Sequence, residues 1–124
     1  MKYVLVVEDD PITLKIICAT LEKHGFSAIK ATNGNDALLH LKGHDIHAVL
    51  LDLNLPDMNG IEVLKQIRNH PVFHSVAIII VTENDDKLEA ILGLEIGADD
   101  YITKPFHQRE LIARLNAVLR RTQL

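Results

Sequence analysis

The sequence predicts an α/β fold, doubly wound about a parallel sheet, on three observations. Three short runs are wholly apolar: Val4-Leu5-Val6-Val7, Ala48-Val49-Leu50-Leu51 and Val76-Ala77-Ile78-Ile79-Ile80-Val81. Continuous apolarity, as opposed to alternation, belongs to strands covered on both faces. Helical patterns separate these runs, so that β and α alternate along the chain. Finally, each long run ends in polar residues, as strands do when their C-terminal ends line a ligand crevice.

Each element can be justified in turn. After the first strand, Leu14, Ile17, Cys18 and Leu21 fall at i, i+3, i+4 and i+7, one apolar stripe of a helix. Asp10 is its N-cap, Pro11 occupies its first turn and Gly25 stops it. In this reading Asp10 is a cap, and Cys18, on the stripe, is core. Ser27-Ala28-Ile29 forms a weaker strand, and Asn33-Gly34 opens a second helix carrying Ala37, Leu38 and Leu41. After the strand at Ala48, a third helix holds Val63, Leu64 and Ile67 and stops before Pro71. The fourth runs from about Asp85 to Ile96 and is closed by Gly97. Tyr101-Ile102-Thr103 is the fifth strand, and the last helix aligns Leu111, Ile112, Leu115, Val118 and Leu119. Five strands alternating with five helices make a (βα)5, flavodoxin-like three-layer sandwich with strand order 2-1-3-4-5.

Bulk properties agree. A chain of 124 residues fits a single domain, here residues 1–124. No apolar run approaches the ~20 residues that span a bilayer, and no secretory leader is legible at Met1-Lys2-Tyr3. The single Cys18 cannot make an internal disulfide, so the expected compartment is cytoplasmic. A net charge of −4 argues against direct nucleic-acid binding by this chain, and no membrane partner is expected. His40 and His44 stand four apart, but no zincin glutamate or cysteine accompanies them, so no zinc site is expected.

The polar strand ends are Glu8-Asp9-Asp10, Asp52, Thr82 and Lys104-Pro105. In a parallel sheet of order 2-1-3-4-5 they share one edge, and the crevice between the first and third strands places Asp9 beside Asp52. Two carboxylates about 4 Å apart repel by ~4 kcal/mol at an effective dielectric of ~20, so the cluster needs a cation. An all-oxygen site with room for water suits Mg²⁺. Lys104 adds a positive charge and Thr82 a hydroxyl donor, which together suit a phosphoryl group arriving with its metal. Asp52 is then placed as the nucleophile of an aspartyl phosphate.

At these residues the chain closely resembles the receiver (CheY-like) family of two-component response regulators. The resemblance is carried over the full length by Val6-Val7-Glu8-Asp9, by Leu51-Asp52-Leu53-Asn54-Leu55-Pro56-Asp57-Met58-Asn59-Gly60, by Val81-Thr82 and by Lys104-Pro105-Phe106. It implies that Asp52 accepts a phosphoryl group from a sensor histidine kinase or phosphotransfer protein. It also implies that Glu8, Asp9, Asp52 and the backbone carbonyl of Asn54 hold Mg²⁺, and that Thr82 and Lys104 bind the phosphoryl oxygens. The Lys104–Pro105 bond is expected to be cis and Tyr101 to be the aromatic switch. The domain is not expected to be an enzyme beyond slow self-dephosphorylation, tuned by Asn54 and Asn84.

Asp99-Asp100-Tyr101-Ile102-Thr103 and the terminal Leu119-Arg120-Arg121 most resemble the OmpR/PhoB-type subfamily, in which receivers dimerise through the fourth helix, fifth strand and fifth helix and control a transcriptional output domain. Such a C-terminal domain is absent from this sequence. Acids at Glu95, Asp99, Asp100 and Glu110 and bases at Arg114 and Arg121 form strips of opposite sign, self-complementary under a two-fold axis. Ile91, Leu94 and Ala113 are the expected apolar centre of a homodimer. The alternative is a stand-alone receiver acting through protein–protein contacts in a phosphorelay. Glu83 departs from the family, where the residue after the threonine is usually very small, and is expected to oppose an incoming anionic donor. Two rival functions fit less well. A flavodoxin-like electron carrier needs a phosphate loop where this chain has Glu8-Asp9-Asp10, and an aspartate-nucleophile phosphatase needs a carboxylate where it has Asn54.

Overall fold

The computed structural model describes residues 2–83 and 85–122. Its elements run β1 (Lys2–Val7), α1 (Pro11–Lys23), β2 (Phe26–Ala31), α2 (Gly34–Gly43), β3 (Ala48–Asp52), α3 (Gly60–Arg68), β4 (Ala77–Glu83), α4 (Lys87–Ile96), β5 (Asp100–Lys104) and α5 (Gln108–Thr122). All pairings are parallel, in the order β2-β1-β3-β4-β5. The expected order and alternation are both present. None of the described helices is long and apolar enough to cross a membrane.

The continuous apolar runs follow from two cores, one on each face of the sheet. Val4, Val6, Leu50, Ile79 and Val81 point to a core completed by Leu14, Ile17, Cys18 and Leu21 of α1 and by Leu111, Leu115 and Val118 of α5. Their neighbours Leu5, Val7, Val49, Leu51, Ile78 and Ile80 point the other way, to Ala37 and Leu41 of α2 and to Val63, Leu64 and Ile67 of α3. A strand sandwiched in this way has no solvent face on which to place polar residues. Each fully buried large side chain contributes ~1.5–3 kcal/mol.

Three helix starts are capped by side chains, at Asp10 as expected and also at Asn33 and Asn59. Asp10 accepts from Thr13 N at 2.9 Å and from Thr13 Oγ1 at 2.6 Å, which holds its carboxyl below the usual range. Asn33 accepts from Asp36 N, and Asn59 from Ile61 N, both at 2.8 Å. Gly25 follows the end of α1 at φ 86°, a left-handed conformation that glycine adopts without strain.

Two polar devices tie the layers together. Asp57, in the β3–α3 loop, accepts from the backbone N–H groups of Gly34 (2.8 Å) and Asn35 (2.9 Å) at the start of α2. These bonds lower its pKa from the ordinary 3.8. A carboxyl lowered on folding adds stability that is full above its ordinary value and lost as pH falls through the folded value. Asp57→Asn should therefore be less stable than the parent at neutral pH, with the gap closing as pH drops below about 3.8; urea midpoints across that range measure it.

The second device is Arg68, at the end of α3. It donates to Gly97 O (2.8 Å), His74 O (2.8 Å), Val76 O (2.7 Å) and Asp99 Oδ2 (3.1 Å). Asp99 Oδ2 also accepts from Ile78 N at 2.8 Å, so one guanidinium joins the end of α4, the entry to β4 and the approach to β5.

Candidate functional site

The C-terminal ends of β1, β3, β4 and β5 bring the singled-out residues to one edge. β3 and β4 pair Asp52 with Val81, and β4 and β5 pair Thr82 with Thr103 and Glu83 with Lys104. Beyond β3 the chain turns sharply: Gly60 N donates to Leu53 O at 2.8 Å, and a Cβ on Gly60 would stand 2.5 Å from Asp52 O and 2.6 Å from Leu53 Cα. Backbone cannot yield to such a contact, so only glycine lets α3 begin this close to Asp52.

Glu8, Asp9 and Asp52 each offer a carboxylate oxygen, all within 4.8 Å of one another. Glu8 and Asp52 are buried while Asp9 faces solvent. Lys104 Nζ stands 2.7 Å from Glu8 Oε1 and 3.3 Å from Asp52 Oδ2, where it donates a hydrogen bond. Its approach to Glu8 Oε1 is a charge contact without hydrogen-bond alignment, which leaves that buried oxygen without an aligned donor. The second Glu8 oxygen accepts from Asp10 N at 3.2 Å.

Burial, and then the neighbouring Asp52, push the Glu8 carboxyl up from 4.5 to about 7, while Lys104 pulls it down. Burial alone would lower Lys104, but Glu8 and Asp52 outweigh it and hold the ammonium above its ordinary value. Three carboxylates therefore share one ammonium, and the surplus negative charge fits a divalent cation. The donor set is all oxygen, includes the orphaned Glu8 Oε1 and is open to solvent on the Asp9 side, which matches Mg²⁺. Among the described residues this is the single cluster of its kind; His40 and His44, with rings 5.4 Å apart, are not drawn into one.

Thr82 is fully buried at the end of β4. Tyr101 is half-buried and packs against the core on the α2–α3 side. The Lys104–Pro105 bond is cis. Glu83, more than half exposed, is 4.0 Å from Lys104 Nζ and joins the acidic set around it. Asn54 is exposed; its N–H donates to Asp52 Oδ1 at 3.2 Å and its side-chain amide to Asp86 Oδ2 at 3.0 Å. Asn84 lies outside the described residues.

A protein-family model, the response regulator receiver domain, matches residues 4–116. The chain belongs to the response regulator receiver family. Sensory transduction protein RegX3 of Mycobacterium bovis is 46% identical over 121 residues, covering 98% of this chain and 52% of that protein. The alkaline phosphatase synthesis transcriptional regulatory protein PhoP of Bacillus subtilis is 39% identical over 123 residues, covering 99% of this chain and 50% of that protein. The receiver therefore spans about half the length of these relatives, in line with the OmpR/PhoB-type resemblance. Among solved structures, a response regulator from Chloroflexus aurantiacus superposes with a TM-score of 0.92 at 30% identity, covering 96% of this chain and 98% of that one. Receiver domains bind Mg²⁺ at an acidic site, and this chain carries an acidic cluster of Glu8, Asp9 and Asp52.

The residues expected at the partner surface of the receiver fall into two groups. Ile91, Leu94, Glu95, Ala113 and Arg121 are exposed. Asp99, Asp100, Glu110 and Arg114 are half-buried and paired within the chain: Arg68–Asp99 at 3.1 Å, Arg114–Asp100 at 3.1 Å and Arg114–Glu110 at 3.2 Å. Arg121 reaches Asp99 O at 3.4 Å. Sequence reading gave no role to Arg68, and none to Asp86, which contacts both Asn54 and Thr82. A basic residue in a helix's last turn reads as a dipole partner, and an acid before a helix as a cap, so neither carried a distinguishing signal.

Proposed function

We propose that Asp52 is the phosphoacceptor of a cytoplasmic two-component response regulator and that its phosphorylation switches the α4–β5–α5 surface. The observation that carries this reading is Lys104 Nζ, 3.3 Å from Asp52 Oδ2 in a pocket that Glu8 and Asp9 share. The donor is the phosphohistidine of a sensor kinase or phosphotransfer protein. An Asp52 carboxylate oxygen attacks phosphorus, the P–N bond breaks, and the imidazole nitrogen leaves with the bonding pair. Glu8, Asp9, Asp52 and the Asn54 carbonyl hold Mg²⁺, which draws charge from the phosphoryl oxygens and offsets the crowding of carboxylates.

After transfer, Lys104 pairs with one phosphoryl oxygen and the Thr82 hydroxyl donates to another. These contacts exist only in the phosphorylated arrangement and bias a two-state equilibrium. Tyr101 follows Thr82 inward and carries the change to β5. Hydrolysis of the aspartyl phosphate by the domain itself is slow. By likeness to PhoP, a transcriptional regulatory protein, the output is transcriptional. It is reached through a homodimer centred on the exposed Ile91, Leu94 and Ala113.

Intact mass after incubation with acetyl phosphate and Mg²⁺ tests the reading. One phosphoryl increment is expected, abolished by chelating Mg²⁺ and absent in Asp52→Asn; an increment retained in that variant would refute it. A second reading, a stand-alone receiver in a phosphorelay, is favoured by the internal pairing of Asp100 with Arg114, charges that a two-fold dimer would otherwise use. Sedimentation with and without beryllofluoride separates the two: dimer formation supports the first reading, and a persistent monomer the second.

A further inference from the structure

Asp86 stands at the N-cap position of α4, yet its side chain makes no capping hydrogen bond, unlike Asp10, Asn33 and Asn59 before their helices. Its Oδ2 instead accepts from Asn54 Nδ2 at 3.0 Å and from Thr82 Oγ1 at 3.4 Å. A carboxylate can only accept, so this contact uses the one proton that the buried Thr82 hydroxyl has to donate. A phosphoryl oxygen on Asp52 is also an acceptor and needs that same proton. The two bonds exclude each other.

We propose that Asp86 is a positioning residue that latches Thr82 and Asn54 in the unphosphorylated arrangement and lets go when the phosphoryl group captures the Thr82 proton. The released carboxylate is then free to cap α4, the bond it forgoes in the latched state. The exchange links the chemistry at Asp52 to the first turn of α4 through a side chain that touches neither Asp9 nor Lys104 within hydrogen-bond range. The inference rests on Asp52 being the phosphoacceptor.

Isothermal titration with beryllofluoride, the phosphoryl mimic, at saturating Mg²⁺ tests the latch in four proteins: the parent, Asp86→Ser, Thr82→Val and the double variant. Serine keeps a hydroxyl that can cap α4 but is too short to reach Thr82, so the helix start survives the change. Asp86→Ser should bind beryllofluoride about tenfold more tightly than the parent, the scale of a hydrogen bond to a charged group. In the Thr82→Val background, where no proton is contested, the same substitution should give no gain.

Unchanged or weaker binding by Asp86→Ser overturns the latch. So does an equal gain in both backgrounds, because Asp86 would then act only by repelling the anion. A parent that fails to bind beryllofluoride at all removes the phosphoacceptor reading as well, and that result is distinct from failure of the latch alone.

Discussion

Lys104→Met should acquire the phosphoryl group from acetyl phosphate roughly 100-fold more slowly than the parent while binding Mg²⁺ more tightly. Both effects have one cause. Lys104 is the single ammonium among Glu8, Asp9, Asp52 and Glu83, with Nζ 2.7–4.0 Å from three of them. Each like-charge contact at ~4 Å is worth ~4 kcal/mol at an effective dielectric of ~20, so an anionic donor entering without Lys104 meets carboxylates and no fixed counter-charge. A dication arriving at the same cluster no longer competes with a cation already there. Intact-mass time courses give the rate, and calorimetric titration gives the Mg²⁺ affinity. Slower phosphorylation accompanied by weaker Mg²⁺ binding would mean that the site had lost its shape, not merely its charge, and would contradict this account.

Arg68→Met should destabilise the domain by ~2–3 kcal/mol, the scale of leaving part-buried acceptors without their charged hydrogen-bond donor. Methionine fills most of the volume, so the loss comes from the polar groups left behind. The Asp99 carboxylate keeps only its bond from Ile78 N, and the carbonyls of His74, Val76 and Gly97 lose a charged donor. Urea denaturation should show a lower midpoint with an unchanged m-value. A loss below ~1 kcal/mol would mean that water replaces the guanidinium at these carbonyls. The pocket around Asp52, at the opposite end of the strands, should keep its Mg²⁺ affinity in this variant.

The architecture was legible because burial on both faces leaves so plain a mark. Val4–Val7 and Val76–Val81 contain no polar residue, and the strands extend from Lys2 to Val7 and from Ala77 to Glu83. Helix starts were legible where a capping side chain announces them, at Asp10 and at Asn33. α4, expected from about Asp85, begins at Lys87, and no capping side chain marks its start, because Asp86 makes no capping bond.

The acidic cluster and Lys104 could be placed from strand order alone, because each sits at a strand end and the order fixes which ends are neighbours. Contacts made by long side chains across elements could not. Nothing in the spacing of Arg68 and Asp99 says that they meet. Nor does the local sequence say that Asp100 and Arg114 pair within one molecule and not between two. Charge strips reveal sign but not partner.

α4 rests on the sheet through little more than Ala90 and Gly93. A Cβ on Gly93 would stand 2.2 Å from Ile80 Cδ1, so the missing side chain lets the helix seat directly on the Ile80 side chain of β4. Leu88, Ile91, Leu92 and Leu94 consequently project outward, Leu88 with 82% of its surface exposed. Residues that carry no part of the interior are free to drift. Substitutions along the outer side of α4 can change what that face presents to other molecules while the sheet, its two cores and the pocket around Asp52 stay intact, so one face of the domain can be rewritten without its having to fold anew.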